Sequence, residues 1–243
     1  MSRHSILLNQ RMIAYELKRS NRKSLQIQIE REPSGQAAAL IVKAPFHMPL
    51  PDIEHFLKQK SAWVLRHLEQ VSSQIKAHPP RQYQDSERIW FRGEPCTLRV
   101  EEAGSGNKCI LYMSNHVLYL QIPADTSREQ RQALIENWYR RQAKAILPAK
   151  ADYYAGIIGV AYGTIRIKDQ KSRWGSCSAK GNLNFNWRLI MAPETISDYV
   201  VVHELCHLLH MDHSPEFWQC VEKVIPDYRD RRKWLKNNAD LLV

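Results

Sequence analysis

Apolar and polar residues alternate in short segments of the first half of the chain, and a period of two is typical of β-strands. Leu25–Ile29 alternates strictly, Ala39–Val42 is a short apolar run, and Pro33–Gly35 predicts a turn between them. Three further strands are predicted at 88–91, 97–100 and 117–122. We therefore expect the first half to be rich in strands.

Two longer segments carry apolar residues every three or four positions, which is typical of amphipathic helices. The first spans residues 52–75. The second spans about 128–154; Thr126 or Ser127 can cap its first turn, and a kink is expected at Pro148.

The remainder of the chain predicts fewer strands and more helices. Strands are expected at 164–167 and at 182–189, where alternation indicates one exposed face. A helix is expected after Pro193, a second at 217–225, and a third, rich in Arg and Lys, from about 226.

These elements predict an α+β protein, with a strand-rich N-terminal half that holds one helix and a helix-rich C-terminal half. We place a boundary near residue 125, which gives regions 1–125 and 126–243. No flexible linker separates them, so packing as one unit stays open.

The composition is that of an ordinary globular protein. Of the 243 residues, 44% are hydrophobic and 25% are charged, which excludes wholesale disorder. No apolar run approaches the roughly 20 residues that span a bilayer, and the first residues lack the apolar core of a signal peptide. Five cysteines without a C-x-x-C pair indicate reduced thiols. We therefore expect a cytoplasmic protein without a membrane partner.

The formal net charge is +10. It divides evenly, because 1–125 holds 17 Lys and Arg against 12 Asp and Glu, and 126–243 holds 18 against 13. There is no basic tail, but an anionic substrate or nucleic acid stays open as a partner.

A metal-binding motif lies in the apolar segment after residue 200. His203, Glu204 and His207 form the pattern H-E-x-x-H. Two histidines four apart lie on one face of a helix, about 6 Å apart along its axis, so both imidazoles can reach one ion. Neutral imidazole suits Zn²⁺, and burial of such groups is costly unless something satisfies them.

The third ligand is less directly indicated. His210 continues the stripe of His203 and His207, but a straight helix would spread the three over about 10 Å. We favour His213, reached after a turn at 211–212, because Pro215 prevents simple continuation of the helix. Glu216 and Glu222 are the reserve ligands. His210 is then either a core histidine or a group near the substrate.

Four segments together resemble a known family, namely 172–178 (Ser-Arg-Trp-Gly-Ser-Cys-Ser), 184–189, 200–213 and 214–218. They are similar to the YgjP-like metallopeptidase family, which is related to the SprT-like zincins, and the likeness is close over 164–236.

The resemblance implies a zincin-like C-terminal half and a zinc-dependent hydrolase, usually labelled a metallopeptidase. It also implies that His203, His207 and His213 bind zinc and that Glu204 is catalytic. The spacing also matches the long metzincin motif, but His210 stands where that motif has glycine.

We therefore predict a zinc-dependent hydrolase, first of all a metallopeptidase that cleaves peptide or protein amides. Zn²⁺ with an open position lowers the pKa of water towards about 7, and Glu204 would act as the general base.

Two other functions stay open. A nucleotide phosphoanhydride hydrolase, similar to a pyrophosphatase, would use Lys171, Arg173 and Arg188 as phosphate partners. A nucleic-acid-associated metalloprotein would bind through its excess positive charge.

Other residues near the motif have two interpretations each. In one interpretation, Arg173 of the segment 173–177 could bind an anionic substrate group, and 184–189 could be the edge strand along which a peptide lies. In the other, Trp174 fills the core and Gly175 permits a tight turn. Cys177 is disfavoured as a nucleophile beside a metal motif. In the last helix, Tyr228 or a nearby Arg could stabilise an oxyanion, or the basic residues form a solvated face.

Overall fold

The computed structural model describes residues 2–32, 37–77, 81–103, 109–170 and 173–242. The predicted turn at Pro33–Gly35 and the candidate phosphate partner Lys171 lie outside these ranges. The contacts divide the chain into two compact units, 1–81 and 82–243. The predicted α+β class is confirmed.

The N-terminal unit begins with a four-stranded sheet in the order β1-β2-β4-β3. The central strands β2 and β4 are parallel, and each outer pair is antiparallel. Asn9 and Gln10 both have positive φ (46° and 66°), which suits the tight two-residue turn between β1 and β2. The strands are β1 (Ser2–Leu8), β2 (Arg11–Ser20), β3 (Gln26–Arg31) and β4 (Ala38–Pro45).

The helix predicted at 52–75 is divided into α1 (Leu50–Gln59) and α2 (Ser61–Ala77). Lys60 lies between them with φ −96° and ψ 12°, outside regular helical geometry. Its N–H still reaches the Phe56 carbonyl, so the interruption is local. Buried residues of α1, α2 and the sheet form one apolar core.

The C-terminal unit begins with a second four-stranded sheet, in the order β5-β6-β8-β7. Its strands are β5 (Arg88–Phe91), β6 (Glu94–Glu102), β7 (Ile110–Ser114) and β8 (Val117–Ile122). Again the central pair is parallel and the outer pairs are antiparallel. The boundary between the compact units therefore precedes this sheet, whereas our division near residue 125 follows it.

A long helix, α3 (Arg128–Ile158), follows β8. Ser127 caps it: the Ser127 hydroxyl accepts from the N–H of Gln130, and the Gln130 side chain accepts from the N–H of Ser127. Pro148 lies inside the helix, which ends at Gly159 in the left-handed conformation (φ 79°).

A small sheet follows, with β9 (Ile165–Lys168), β10 (Gly175–Cys177) and β11 (Leu183–Asn186) in the order β10-β11-β9. The interpretation of 184–189 as an edge strand is therefore wrong, because β11 is central and has a partner on each side. Leu183 and Phe185 are fully buried, and the chain continues into a 3₁₀ helix at Trp187–Met191.

Three helices complete this unit: α4 (Glu194–Cys206), α5 (Pro215–Val224) and α6 (Tyr228–Asn237), with a 3₁₀ turn at Ala239–Leu242. One continuous apolar core joins the second sheet, α3, β11 and α4. None of the described helices has the length and apolar character that crossing a bilayer requires.

Candidate metal centre

The helix α4 carries the H-E-x-x-H motif and is buried on nearly every side. It ends at Cys206, so His207 is already the C-cap residue. The N–H of His210 bonds to the Cys206 carbonyl, and the chain then leaves the helix axis. The helix thus ends several residues before the expected turn at 211–212, which lets the following segment carry His213 back beside His203.

Three histidine rings converge after this turn. One ring nitrogen from each of His203, His207 and His213 lies within 4.8 Å of the others. Nε2 of His203 lies 3.2 Å from Nε2 of His213. Two nitrogens that each lie about 2.05 Å from a tetrahedral ion stand roughly 3.3 Å apart. The spacing of this pair therefore fits a shared divalent cation.

The tautomer of His207 also suits a metal ligand. Its Nδ1 lies 3.0 Å from the backbone carbonyl of His210. Because a carbonyl only accepts, Nδ1 must carry the proton, which leaves the Nε2 lone pair free for an ion. The contribution of His210 here is its backbone oxygen, and its own ring is not part of the cluster.

The reserve ligands lie elsewhere. Glu216 is exposed in the first turn of α5. Glu222 is exposed as well and faces Arg229 at 3.8 Å. Within the described residues, neither belongs to the group of potential ligand atoms formed by the three histidines.

Aromatic rings hold the imidazoles in place. Phe217 stacks on His207 at 4.5 Å between ring centroids, and Trp218 stacks on His213 at 5.6 Å. Tyr228 in turn stacks on Trp218 at 5.2 Å. The Ser214 hydroxyl caps α5 by accepting from the Phe217 N–H, which orients both rings. This packing limits the movement of the exposed His213 side chain.

Burial favours the neutral form of two of the three imidazoles. It lowers the pKa of His203 to about 3, and the neighbouring rings of His207 and His213 and the charge of Arg232 act in the same direction. Burial also lowers the pKa of His207. Nδ1 of His203 is buried and has no hydrogen-bond partner among the described residues. Neutral rings are the form that binds a metal.

The Glu204 side chain lies against β10. Its side chain is buried, and burial raises its pKa to about 8, although a hydrogen bond from the Cys177 N–H and the charge of Arg173 oppose the rise. β10 passes so close that a Cβ atom on Gly175 would lie 2.5 Å from Glu204 Oε1. The segment 173–177 therefore forms one wall of the space that holds the Glu204 carboxylate.

Sequence reasoning did not find this role for Gly175. The tight-turn interpretation is wrong, since Gly175 starts a strand and does not have positive φ. Trp174 packs against the core, as one of the two interpretations held. Burial raises the pKa of the Cys177 thiol, and Glu204 adds to the effect, so the thiol stays protonated and is a poor nucleophile.

The other predicted polar groups are engaged elsewhere or exposed. Arg188 pairs with Asp169 and lies 4.4 Å over the Trp187 ring. Arg173 is exposed. Tyr228 is buried behind Trp218, where its hydroxyl accepts from Nε of Arg229 at 3.3 Å.

Comparison with known proteins gives one family and one structure. A family model described as YgjP-like, metallopeptidase domain, matches residues 23–238. The crystal structure of the metallopeptidase zymogen of Pyrococcus abyssi abylysin is 26% identical, with a TM-score of 0.35, and the match covers 37% of this chain and 94% of that one. A search of curated proteins found no match.

Proposed function

The chain belongs to the YgjP-like metallopeptidase family, and from that premise we propose that it hydrolyses peptide or protein amides with one Zn²⁺ held by His203, His207 and His213. Membership makes it a metallopeptidase-like hydrolase that uses a divalent metal. The identity of the ion, its ligands, the role of Glu204 and a cytoplasmic location are the proposed parts.

The observation that carries the proposal is the close approach of three imidazoles, whose ring nitrogens lie within 4.8 Å of one another. Three nitrogen ligands with an open fourth position are typical of catalytic zinc sites and leave room for substrate. When bound, the ion would supply Lewis acidity that polarises the scissile carbonyl and stabilises negative charge on its oxygen.

Glu204 is the proposed general base. Its carboxylate lies on the residue between the two helical ligands and is shielded from solvent. Burial raises its pKa to about 8, and a cation close by would lower that value again. A base near the working pH can accept a proton from water and then deliver it to the leaving nitrogen.

A peptide substrate is better supported than a nucleotide. Of the three cations considered as phosphate partners, Arg188 is already paired with Asp169, and Lys171 lies outside the described residues. Of the two described cations, Arg173 alone lies close enough to Glu204 to influence the pKa of its carboxyl group.

The test combines metal analysis with cleavage of a broad peptide library. We expect one zinc per wild-type chain, with loss of the metal in His203→Ala and His213→Ala. His210→Ala is the matched control and keeps the metal, because its contribution is a backbone carbonyl. Glu204→Gln keeps the metal but loses roughly 10²–10⁴-fold in kcat/KM.

Two results would contradict the proposal. Equal zinc content in wild type and His213→Ala would remove His213 from the site. Phosphate release from a nucleotide panel, together with no cleavage across the peptide library, would replace the peptide with a phosphoanhydride as substrate.

A further inference from the structure

The strand β9 has one open edge. It pairs with β11 on one side only, and among the described strands none lies on the other. Leu183 N–H bonds to Thr164 O, and the parallel register pairs Leu183 with Ile165. By alternation, the backbone groups of Ile165 and Ile167 point away from β11. They have no hydrogen-bond partner within the described residues.

A stripe of polar and basic side chains on α3 lies near Ile167 of β9. Asn137, Arg140, Arg141 and Lys144 recur at the spacing of one helix face and, with Ile167 of β9, line a cavity of about 430 Å³. The stripe spans roughly 10 Å along α3 and the strand roughly 13 Å, so the two match in length.

Much of the positive charge here is uncompensated. Arg140 bonds to Asp169 at 2.7 Å. Arg141 and Lys144 are exposed and have no acidic partner among the described residues, and the same holds for Arg166 and Lys168 on β9. Charged residues on an edge strand by themselves would only discourage aggregation, but the α3 stripe lies off the sheet and lines a cavity.

We propose that the open edge of β9 and the α3 stripe bind an extended, acidic segment of the polypeptide substrate, apart from the bond that is cleaved. This inference rests on the proposed peptidase function and deepens it. The segment pairs its backbone with Ile165 and Ile167, while its Asp and Glu side chains lie against Arg141 and Lys144. A free strand edge offers N–H and C=O groups in the register of a polypeptide, which a nucleic acid cannot use.

The test measures binding by fluorescence anisotropy, with the full chain carrying Glu204→Gln so that no probe is cleaved. The probes are a short labelled peptide with a run of Asp and Glu, its Gln and Asn counterpart, and the acidic peptide with N-methylated backbone amides. We expect the acidic peptide to bind about tenfold more tightly at low salt than either of the others, with the advantage over the neutral peptide shrinking as salt rises.

Two double variants that change the net charge by the same amount are used to locate the binding site. Arg141→Glu with Lys144→Glu abolishes the preference for the acidic peptide, and both positions are exposed on a helix that tolerates Glu. Lys233→Glu with Lys236→Glu, exposed on α6, keeps it. If both variants lost the preference for the acidic peptide equally, net charge alone would explain it and the proposal would be overturned. The proposal would also be overturned if the N-methylated peptide bound as tightly as the unmethylated acidic peptide.

Two further readouts separate this inference from the proposed function. In chains with Glu204 intact, absence of all cleavage of neutral peptides would count against the peptidase and leave the binding result standing. A DNA oligonucleotide that binds this surface more tightly than the acidic peptide would overturn the choice of partner.

Discussion

The two four-stranded sheets share one topology but are used differently. Orders β1-β2-β4-β3 and β5-β6-β8-β7 both place two hairpins side by side with a parallel central pair. The first sheet is covered by its own helices α1 and α2 and forms a separate core. The second shares its core with α3 and with α4, which carries the histidines. Sheets of the same topology therefore form a separate core with two helices in one unit and support the helix of a candidate active site in the other.

The glycines are also distributed unevenly between the two units. The N-terminal unit contains a single glycine, Gly35, and the other eight lie in the C-terminal unit. Several of those permit close approach: a Cβ atom on Gly93 would lie 2.6 Å from the Pro193 Cα, and one on Gly175 would meet Glu204. The unit with the site therefore depends on backbone contacts that a plain sheet-and-helix module does not need.

Matched truncations in the two sheets give the largest expected effect. Leu17 on β2 and Leu98 on β6 are both buried in central strands. Leu17→Ala and Leu98→Ala should each lower the free energy of unfolding of its own core by about 2–5 kcal/mol. Only Leu98→Ala should also weaken metal retention, because its core is continuous with α4. Denaturant unfolding and metal analysis measure the two effects.

The comparison fails if Leu17→Ala releases the metal as readily as Leu98→Ala does. Two separate unfolding transitions, each shifted by one variant alone, would instead strengthen it, since two cores are free to unfold as separate cooperative units.

A glycine pair tests the close approach within the C-terminal unit. Gly175→Ala should displace the Glu204 carboxylate and lower kcat by roughly 10–100-fold, equivalent to about 1.4–2.7 kcal/mol, while zinc content stays the same. A Cβ atom on Gly156 in α3 would meet no atom of another segment within 4 Å. Gly156→Ala should therefore leave kcat unchanged and stabilise the helix by about 0.5–1 kcal/mol.

The readout that separates positioning from simple loss of fold is the pH profile. Gly175→Ala should shift the acidic limb of kcat/KM, because that limb reports the protonation of Glu204. An unchanged limb with reduced unfolding stability would show that Gly175 has only a structural role.

Local patterns could be predicted from the sequence, and contacts between distant segments could not. The strands β5 and β8 begin and end where alternation predicts, and the Ser127 cap is confirmed. The convergence of the histidines is also largely local, because H-E-x-x-H places two of them on one helix face. The approach of Gly175 to Glu204 joins two segments that no local pattern connects.

Polar residues caused the error at β11. Alternation of Asn184 and Asn186 with apolar residues indicated an exposed face, yet Asn186 is buried. Its amide donates to the Gln170 carbonyl at 2.7 Å, and the Asn184 amide donates to the Ser176 hydroxyl at 3.1 Å. Hydrogen-bonded amides can occupy the interior of a sheet, so polarity alone did not reveal exposure.

Ion pairs give the smallest expected contrast between the two units. In the N-terminal unit, Arg11 faces Glu69 at 2.6 Å, but both side chains are about 60% exposed (59% and 64%). Glu69→Gln should therefore change the free energy of unfolding by only a few tenths of a kcal/mol. In the C-terminal unit, Asp169 accepts from both Arg140 and Arg188, and Asp169→Asn should cost about 1 kcal/mol after allowance for its partial exposure.

The pH dependence distinguishes the two pairs. Burial acts to raise the pKa of Asp169, but Arg188 and Arg140 outweigh it and hold the pKa below its ordinary value. A carboxyl group with a lowered pKa stabilises the fold above its unfolded value of about 3.9 and loses that contribution as pH falls through the folded value. The difference in free energy of unfolding between wild type and Asp169→Asn should therefore be largest at neutral pH and should disappear as the pH falls. If this difference did not depend on pH, the lower stability of Asp169→Asn would be due to packing, because the loss of a charge interaction must follow the titration of Asp169.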